Sequence, residues 1–169
     1  YFAWRPKQPI VLALTGWVVL VPPWLALVTL QKTPWLLLAM LAVVWLADTA
    51  AYFAGHRFGR RKLAPSISPG KTWEGVMGAF AAVLVYGVVL GLVLRPDGNI
   101  HDRVSMFLFV GMLTALGIVG DLFESWIKRQ AGAKDSGQLL PGHGGVLDRV
   151  DSLTAALPFA ALYFLQMMA

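Results

Sequence analysis

The sequence predicts an all-α, polytopic membrane protein with about five transmembrane helices. Of its 169 residues, 57% are hydrophobic and only 14% are charged, whereas about 25% of the residues in a soluble domain are usually charged. Long charge-free runs alternate with short charged segments, and each run can cross the roughly 30 Å hydrocarbon core of a bilayer as a helix. The chain contains no cysteine, which excludes disulfides, thiolate metal sites and cysteine nucleophiles.

The first predicted span is the charge-free run of 24 residues from Gln8 to Gln31. Pro22 and Pro23 lie at its centre and predict a kink, because each removes a backbone donor; a re-entrant pair of half-helices is the alternative. The other four predicted spans are Trp35 to about Phe58, Gly75 to Leu94, Val104 to Gly120, and Ser152 to Ala169.

The fourth span is expected to continue as helix past Asp121 towards Ala131 and to end at Gly132, since glycine commonly terminates helices. No linker or repeat divides the sequence, so we expect residues 1–169 to form a single transmembrane catalytic domain. The chain begins with Tyr1 and shows no signal peptide. We therefore expect further sequence upstream of Tyr1 in the full-length protein.

Basic residues predict the orientation of these spans. Five spans place 11 Lys and Arg residues on the side of the opening stretch and 3 on the other side. The positive-inside rule then puts the richer side in the cytoplasm, together with a polar cavity between the helix ends. The net charge of +5 does not indicate nucleic-acid binding, because the basic residues border hydrophobic runs.

Carboxylates near the spans indicate a polar site. An ionised carboxylate within a span costs roughly 2.5–3.5 kcal/mol, so Asp48, Asp121 and Glu124 need partners or water. Asp48 is alternatively a helix-end residue paired with an Arg or Lys. If the fourth helix continues, Asp121, Ser125 and Lys128 share one face, which Glu124 flanks.

Asp148 and Asp151 are spaced i, i+3 at the entrance to the fifth span. Carboxylates from different helices, without cysteine or clustered histidine, favour a hard cation such as Mg²⁺. The predicted metal ligands are Asp121, Glu124, Asp148 and Asp151. Alternatively, Asp151 or Ser152 only caps the fifth helix.

Basic residues and glycines of the same region suit phosphate oxygens. The candidates are Lys71, Lys128, Arg129, Lys134 and Arg149, with Gly142, Gly144 and Gly145. A single basic residue of this kind is more often a lipid-headgroup anchor. A P-loop is excluded, because Pro65 stands where that motif needs glycine.

Two blocks of the sequence carry a recognisable motif, and the first runs from Ser125 to Asp151, SWIKRQAGAKDSGQLLPGHGGVLDRVD. It is similar to the signature S-x-x-K-R-x4-K-D-x-G-x2-L-P-x-H-G-G-x-x-D-R-x-D of the phosphatidate cytidylyltransferases, also called CDP-diacylglycerol synthases. Asp48 to Gly75 shares D-x-x-A-Y, S-P-x-K-T and an E-G pair. The resemblance covers roughly residues 35 to 169.

This resemblance implies a multi-pass enzyme of the bacterial inner membrane whose active site faces the cytoplasm. It would join CTP to phosphatidic acid, giving CDP-diacylglycerol and pyrophosphate, with Mg²⁺ as cofactor. The resemblance also implies that further N-terminal membrane segments precede these residues in the full-length protein. It leaves open whether a potassium ion binds and whether the protein forms a homodimer.

We expect Asp121 and Asp148 to hold the metal, with Asp151 or Glu124 as outer ligands, and Lys71, Lys128, Arg129 and Arg149 to neutralise the leaving group. The expected catalytic set is Lys71, Asp121, Lys128, Arg129 and Asp148. The expected substrate-binding set is Ser68, Thr72, Ser125, Lys134, His143, Gly144, Gly145 and Arg149.

Three other functions fit parts of the sequence. A CTP-dependent lipid kinase of the dolichol, polyprenol or phytol type also combines membrane helices with acidic residues, but it releases CDP instead of pyrophosphate. A cation-coupled transporter would use its intramembrane carboxylates to bind cations. A purely structural membrane subunit leaves the HGG and paired-Asp stretch unexplained.

Overall fold

The computed structural model describes residues 9–133, 135–137 and 145–168. It contains five helices and two short strands, which confirms the helical fold class and adds a small β-hairpin that was not predicted. In chain order the elements are α1 (Pro9–Leu30), α2 (Pro34–Phe58), β1 (Lys62–Ala64), β2 (Ser68–Thr72), α3 (Trp73–Leu94), α4 (Ile100–Gln130) and α5 (Leu147–Met168).

Four of the described helices are long and apolar enough to cross a membrane, and they correspond to the first four predicted spans. The fifth contains a shorter apolar segment, Val150–Gln166. α1 is assigned as one helix through Pro22 and Pro23, so the alternative of two half-helices is wrong. α2 begins with Pro34, at a helix position where a missing backbone donor costs little.

α4 carries the acidic and basic residues of the predicted site on its last turns. Its start is fixed by a capping box, in which Asn99 and Asp102 each accept a hydrogen bond from the other's backbone N–H. The helix runs for 31 residues to Gln130, and Gly132 follows with a φ of 69°. The prediction that this helix continues past Asp121 towards Ala131 is therefore confirmed.

α5 begins at Leu147, earlier than the predicted start at Ser152. Asp148 therefore lies in the first helical turn, where a negative charge is favourable. Asp151 and Ser152 lie inside the helix, so the alternative in which one of them caps it is wrong.

The β-hairpin connects α2 to α3 at the end of the bundle where α4 ends. Its strands are antiparallel, with Lys62 opposite Thr72 and Ala64 opposite Ser68. Pro69 lies in the second strand, and a two-stranded ribbon tolerates proline because each strand has a free edge. Pro65, Pro69 and Gly70 in this segment are residues typical of a loop, which is why the sequence did not predict the hairpin.

Side chains of all five helices form the buried core. Met40, Val43, Val83, Val110 and Leu113 are its largest fully buried members. The ring of Phe109 on α4 stacks on that of Tyr163 on α5 with centroids 4.1 Å apart. Close helix approach also depends on glycine, because a Cβ at Gly78 of α3 would overlap Ala54 of α2 and lie 3.2 Å from the carbonyl oxygen of Ala50.

We expect Gly78→Ala to destabilise the protein by about 1–3 kcal/mol, because the added methyl group must separate α2 from α3. Gly111→Ala is the matched control, since a Cβ there meets nothing within 4 Å, and alanine favours helix by up to about 1 kcal/mol. Thermal unfolding in detergent, followed by circular dichroism, measures both. Equal melting temperatures for the two variants would contradict this packing.

Candidate functional site

An ion pair between Lys71 of β2 and Asp121 of α4 joins the hairpin to the helix bundle. Both side chains are about three-quarters buried, with 24% and 23% of their surface exposed. Ser125, one turn after Asp121, donates a hydrogen bond from Oγ to Asp121 Oδ1 at 3.4 Å. The pair lies at the wall of a cavity of about 560 Å³, whose lining includes Asp48, Tyr52, His56, Lys62, Lys71, Thr72 and Asp121.

The side chain of Lys128 forms ion pairs that join the end of α4 to the start of α5. Its Nζ donates to Glu124 Oε2 at 3.2 Å and to Asp148 Oδ1 at 2.6 Å. All three side chains are largely buried, with 16% of Lys128, 9% of Glu124 and 11% of Asp148 exposed. A second cavity of about 270 Å³ is lined by residues that include Glu124, Lys128 and Ser136.

Asp148 receives more hydrogen bonds than this one ion pair. The backbone N–H and the hydroxyl of Ser136 each donate to Oδ2 at 2.9 Å, and the N–H of Gly145 donates to the same oxygen at 2.7 Å. Burial raises the pKa of Asp148, but the hydrogen bonds from Lys128, Ser136 and Gly145 outweigh it and hold the pKa well below its ordinary value. Asp148 is therefore ionised at neutral pH.

Two further carboxyl groups, those of Asp151 and Asp48, lie near these two ion pairs. The second carboxylate oxygen of Glu124, Oε1, has no hydrogen-bond partner among the described residues. The carboxyl group of Asp151 interacts with those of Glu124 and Asp121. Ser152 donates from Oγ to Asp48 Oδ2 at 3.4 Å, which brings α2 to the same place.

Gly120 allows this convergence of helices. A Cβ there would lie 2.9 Å from the carbonyl oxygen of Asp151 and 3.0 Å from the Cβ of Ala155. α4 and α5 can therefore approach each other closely enough for their acidic residues to meet. We call the resulting group the carboxylate network: its members are Asp48, Asp121, Glu124, Asp148 and Asp151, with the cations Lys71 and Lys128.

Other predicted site residues have contacts that support the fold. Arg129 donates from Nε to the carbonyl oxygen of Ile67 at 3.2 Å and from Nη1 to that of Ala133 at 3.4 Å. Thr72 Oγ1 accepts the N–H of Gly75 at 3.1 Å and so caps α3. Ser68 begins β2, and Gly145 donates its N–H to Asp148.

Lys134, Gly142, His143 and Gly144 lie outside the described residues, as does the side chain of Arg149. Sequence reasoning missed Ser136, although it stands at the variable position of the K-D-x-G part of the motif. A serine two residues after a lysine and beside an aspartate shows no spacing that predicts a hydrogen bond to Asp148.

No group of three or more His, Asp or Glu side chains within residues 9–133, 135–137 and 145–168 is arranged to hold a metal ion by itself. The available donors are nonetheless carboxylate oxygens, including the unpartnered Glu124 Oε1. Mg²⁺ is commonly held by one or two carboxylates plus substrate phosphates. The donor set therefore fits Mg²⁺ bound together with a phosphorylated substrate.

Comparison with known proteins gives consistent matches. A model of the cytidylyltransferase family matches residues 7–167. The chain is 50% identical over 151 residues to a phosphatidate cytidylyltransferase of Pseudomonas aeruginosa, covering 87% of this chain and 55% of that protein. It is 49% identical over 131 residues to that of Haemophilus influenzae, covering 76% and 45%.

A phosphatidate cytidylyltransferase of Thermotoga maritima is 40% identical over 129 residues, covering 75% of this chain and 48% of that protein. The chain thus spans about half the length of the curated relatives it matches. These matches confirm the resemblance inferred from the two sequence blocks.

We expect Lys128→Met to lower the free energy of unfolding by about 3 kcal/mol, because it leaves Glu124 and Asp148 buried without their cation. Arg95→Met is the matched control. Its ion pair with Asp102 is much more accessible, since 53% of the Arg95 side chain and 31% of the Asp102 side chain are exposed. It should contribute less than about 1 kcal/mol to the free energy of unfolding. Thermal unfolding in detergent compares the two variants, and equal losses of stability would argue against a buried role for Lys128.

Proposed function

We propose, from the premise that the chain belongs to the cytidylyltransferase family, that the protein transfers CMP from CTP to phosphatidic acid. The products would be CDP-diacylglycerol and pyrophosphate. Relatives 40–50% identical to the chain are named phosphatidate cytidylyltransferases, which supports this substrate pair. The activity is assigned to the complete protein that contains these residues.

The protein is a multi-pass membrane protein, with several apolar helices and bacterial relatives. We further propose that α5 is a fifth span. Its apolar segment of 17 residues is about 26 Å long at 1.5 Å per residue, which nearly matches the hydrocarbon core. The carboxylate network then faces the cytoplasm, on the side richer in Lys and Arg.

The charge imbalance of the carboxylate network is the observation that supports this function best. Among the described side chains, five carboxyl groups meet two ammonium groups, Lys71 and Lys128. In a largely buried place, such an excess of carboxyl groups over cations favours either protonation of some of them or the binding of a further cation. A nucleoside triphosphate that arrives with a divalent cation supplies that charge.

Asp121 and Asp148 are the proposed ligands of Mg²⁺, with Asp151 and Glu124 as outer or occasional ligands. When bound, Mg²⁺ would neutralise phosphate charge and align the two substrates. Lys71 and Lys128 are the described cations that could turn from their carboxylates towards phosphate oxygens. Lys71 lies on β2 and Lys128 on α4, so the two cations reach the carboxylate network from different elements.

The chemical step needs no base from the protein. The second pKa of a phosphate monoester is near 6, so phosphatidate is largely dianionic at neutral pH. Its phosphate oxygen forms the new bond to the α-phosphorus of CTP, the bond from that phosphorus to the bridging oxygen breaks, and pyrophosphate leaves with the electron pair. Lys71, Lys128, Arg129 and Arg149 are proposed to neutralise the leaving group.

The remaining predicted substrate contacts stay predictions. They are Ser68, Thr72, Ser125, Lys134, His143, Gly144, Gly145 and Arg149. Potassium binding, a homodimer and the inner-membrane location also stay predictions.

We expect Asp121→Asn and Asp148→Asn each to reduce turnover about 100-fold, the scale seen when metal-site partners are lost. Asp97→Asn is the matched control, since Asp97 is exposed in the turn before α4. The assay follows labelled CTP and phosphatidic acid in membranes that contain the complete protein. Near-normal turnover in either variant would remove that residue from the site, and release of CDP instead of pyrophosphate would identify a lipid kinase.

Topology can be measured with single cysteines, because these 169 residues contain none. Asp97→Cys and Ser66→Cys both replace exposed turn residues, at opposite ends of α3. We expect a membrane-impermeant maleimide to label Asp97→Cys in intact cells and Ser66→Cys only after permeabilisation. The reverse pattern would overturn the proposed orientation.

A further inference from the structure

Four basic residues cluster where α2 ends and the hairpin begins. Arg57 lies in the last turn of α2, Arg60 and Arg61 follow the helix, and Lys62 begins β1. All four are exposed, and none forms an ion pair within the described residues. We call these four residues the basic lip.

The backbone of the basic lip is held in place by α3. The N–H groups of Arg60 and Arg61 donate to the carboxylate of Glu74, with nitrogen–oxygen distances of 3.1 and 3.2 Å. The N–H of Trp73 donates to the carbonyl oxygen of Arg61 at 3.0 Å. The carboxylate of Glu74 is thus engaged by backbone groups, while the cationic side chains remain available to a ligand.

Gly59 contributes to the same arrangement. A Cβ there would overlap the carbonyl oxygen of Gly55 and lie 2.8 Å from Cγ2 of Thr72. The chain leaves α2 so close to the start of α3 that a side chain does not fit. The cations of the lip are therefore presented on an ordered backbone, which lowers the entropy lost when they bind a ligand.

The position of the lip determines which phosphates it can meet. It lies at the ends of α2 and α3, both of which are long and apolar enough to span the membrane. Exposed aromatic residues flank it: 66% of Tyr52 and 53% of Trp73 are accessible, and Tyr and Trp are enriched at the level of lipid headgroups. The guanidinium of Arg57 lies 6.0 Å from the centre of the Phe58 ring.

The lip also adjoins the cavity of the carboxylate network. Lys62 lines that cavity together with Lys71 and Asp121. Phosphate groups held at the lip would therefore lie beside the cavity mouth, at the surface of the bilayer.

We propose that the basic lip is a binding site for the phosphate headgroups of anionic membrane lipids and concentrates them beside the cavity. Membrane-bound phosphates suit it better than soluble ones, because its aromatic neighbours place it among headgroups. Lipid binding at the lip does not require the proposed function. The further idea that the lip supplies phosphatidic acid to the carboxylate network rests on the proposed function.

The test compares two triple variants that lose the same charge. Arg60→Gln/Arg61→Gln/Lys62→Gln removes three cations from the lip. The control, Lys32→Gln/Arg95→Gln/Arg103→Gln, removes three cations that belong neither to the lip nor to the carboxylate network. Native mass spectrometry of the complete protein in detergent measures binding of dioleoyl-phosphatidylglycerol, -phosphatidate and -phosphatidylcholine. Melting temperatures confirm that both variants are folded.

We expect the lip variant to lose at least tenfold in affinity for both anionic lipids, since each basic residue near a membrane surface contributes about fivefold. Phosphatidylcholine binding should not change, and the control variant should lose less affinity for the anionic lipids than the lip variant does. Equal losses in both variants would show a net-charge effect and overturn the site, as would no loss in either.

Two further measurements distinguish CTP from anionic lipid as the ligand of the lip, and test the lipid site separately from the proposed function. If calorimetry shows that the lip variant loses affinity for CTP while anionic lipid binding is unchanged, the lip binds nucleotide and the lipid site is wrong. In mixed micelles, a raised KM for phosphatidate with unchanged kcat supports a role in lipid supply. A parent protein that binds anionic lipid through the lip but makes no CDP-diacylglycerol would contradict the proposed function alone.

Discussion

The ammonium group of Lys128 lies between two carboxylates of different helices, and the arrangement of the acidic residues depends on it. It forms ion pairs with Glu124 on α4 and with Asp148 on α5, within the carboxylate network. Without a cation there, like charges in a largely buried place would push the two helix ends apart. Asp148 is held further by the amides of Ser136 and Gly145, so the segment after α4 folds back onto the start of α5.

The hairpin provides the second cation and connects in space the two sequence blocks that carry the family resemblance. Lys71 reaches Asp121 from β2, and Arg129 holds the carbonyl oxygen of Ile67 in the hairpin turn. The last turns of α4 therefore contact both the hairpin and α5. A phosphorylated substrate that displaces either lysine from its carboxylate would change contacts on both sides of α4, because Asp121 and Lys128 share one helical face.

Close helix packing explains why the carboxylate network is largely buried. Gly78 lets α3 approach α2, and Gly120 lets α4 approach α5 near Asp151. The same packing leaves an accessible cavity beside Lys71 and Asp121, open towards the basic residues that follow α2. Charge is thus graded along this end of the molecule, from an exposed cationic rim to a largely buried anionic interior.

The sequence by itself determined the helical spans, the continuation of α4 to Gln130 and the family. These features depend on local hydrophobicity, helix end signals and a dense motif, all of which can be recognised without knowing what packs against what. It also identified Asp48, Asp121 and Glu124 as residues that need partners or water.

Only the tertiary structure decided the partners themselves: Lys71 for Asp121, Lys128 for Asp148, and Ser152 for Asp48. These residues lie on separate elements, so their contacts follow from how the helices pack and not from spacing along the chain. The hairpin and the early start of α5 were missed for the same reason. Prolines and glycines indicate a loop, and only contacts with neighbouring elements make such a loop a strand pair or a helical turn.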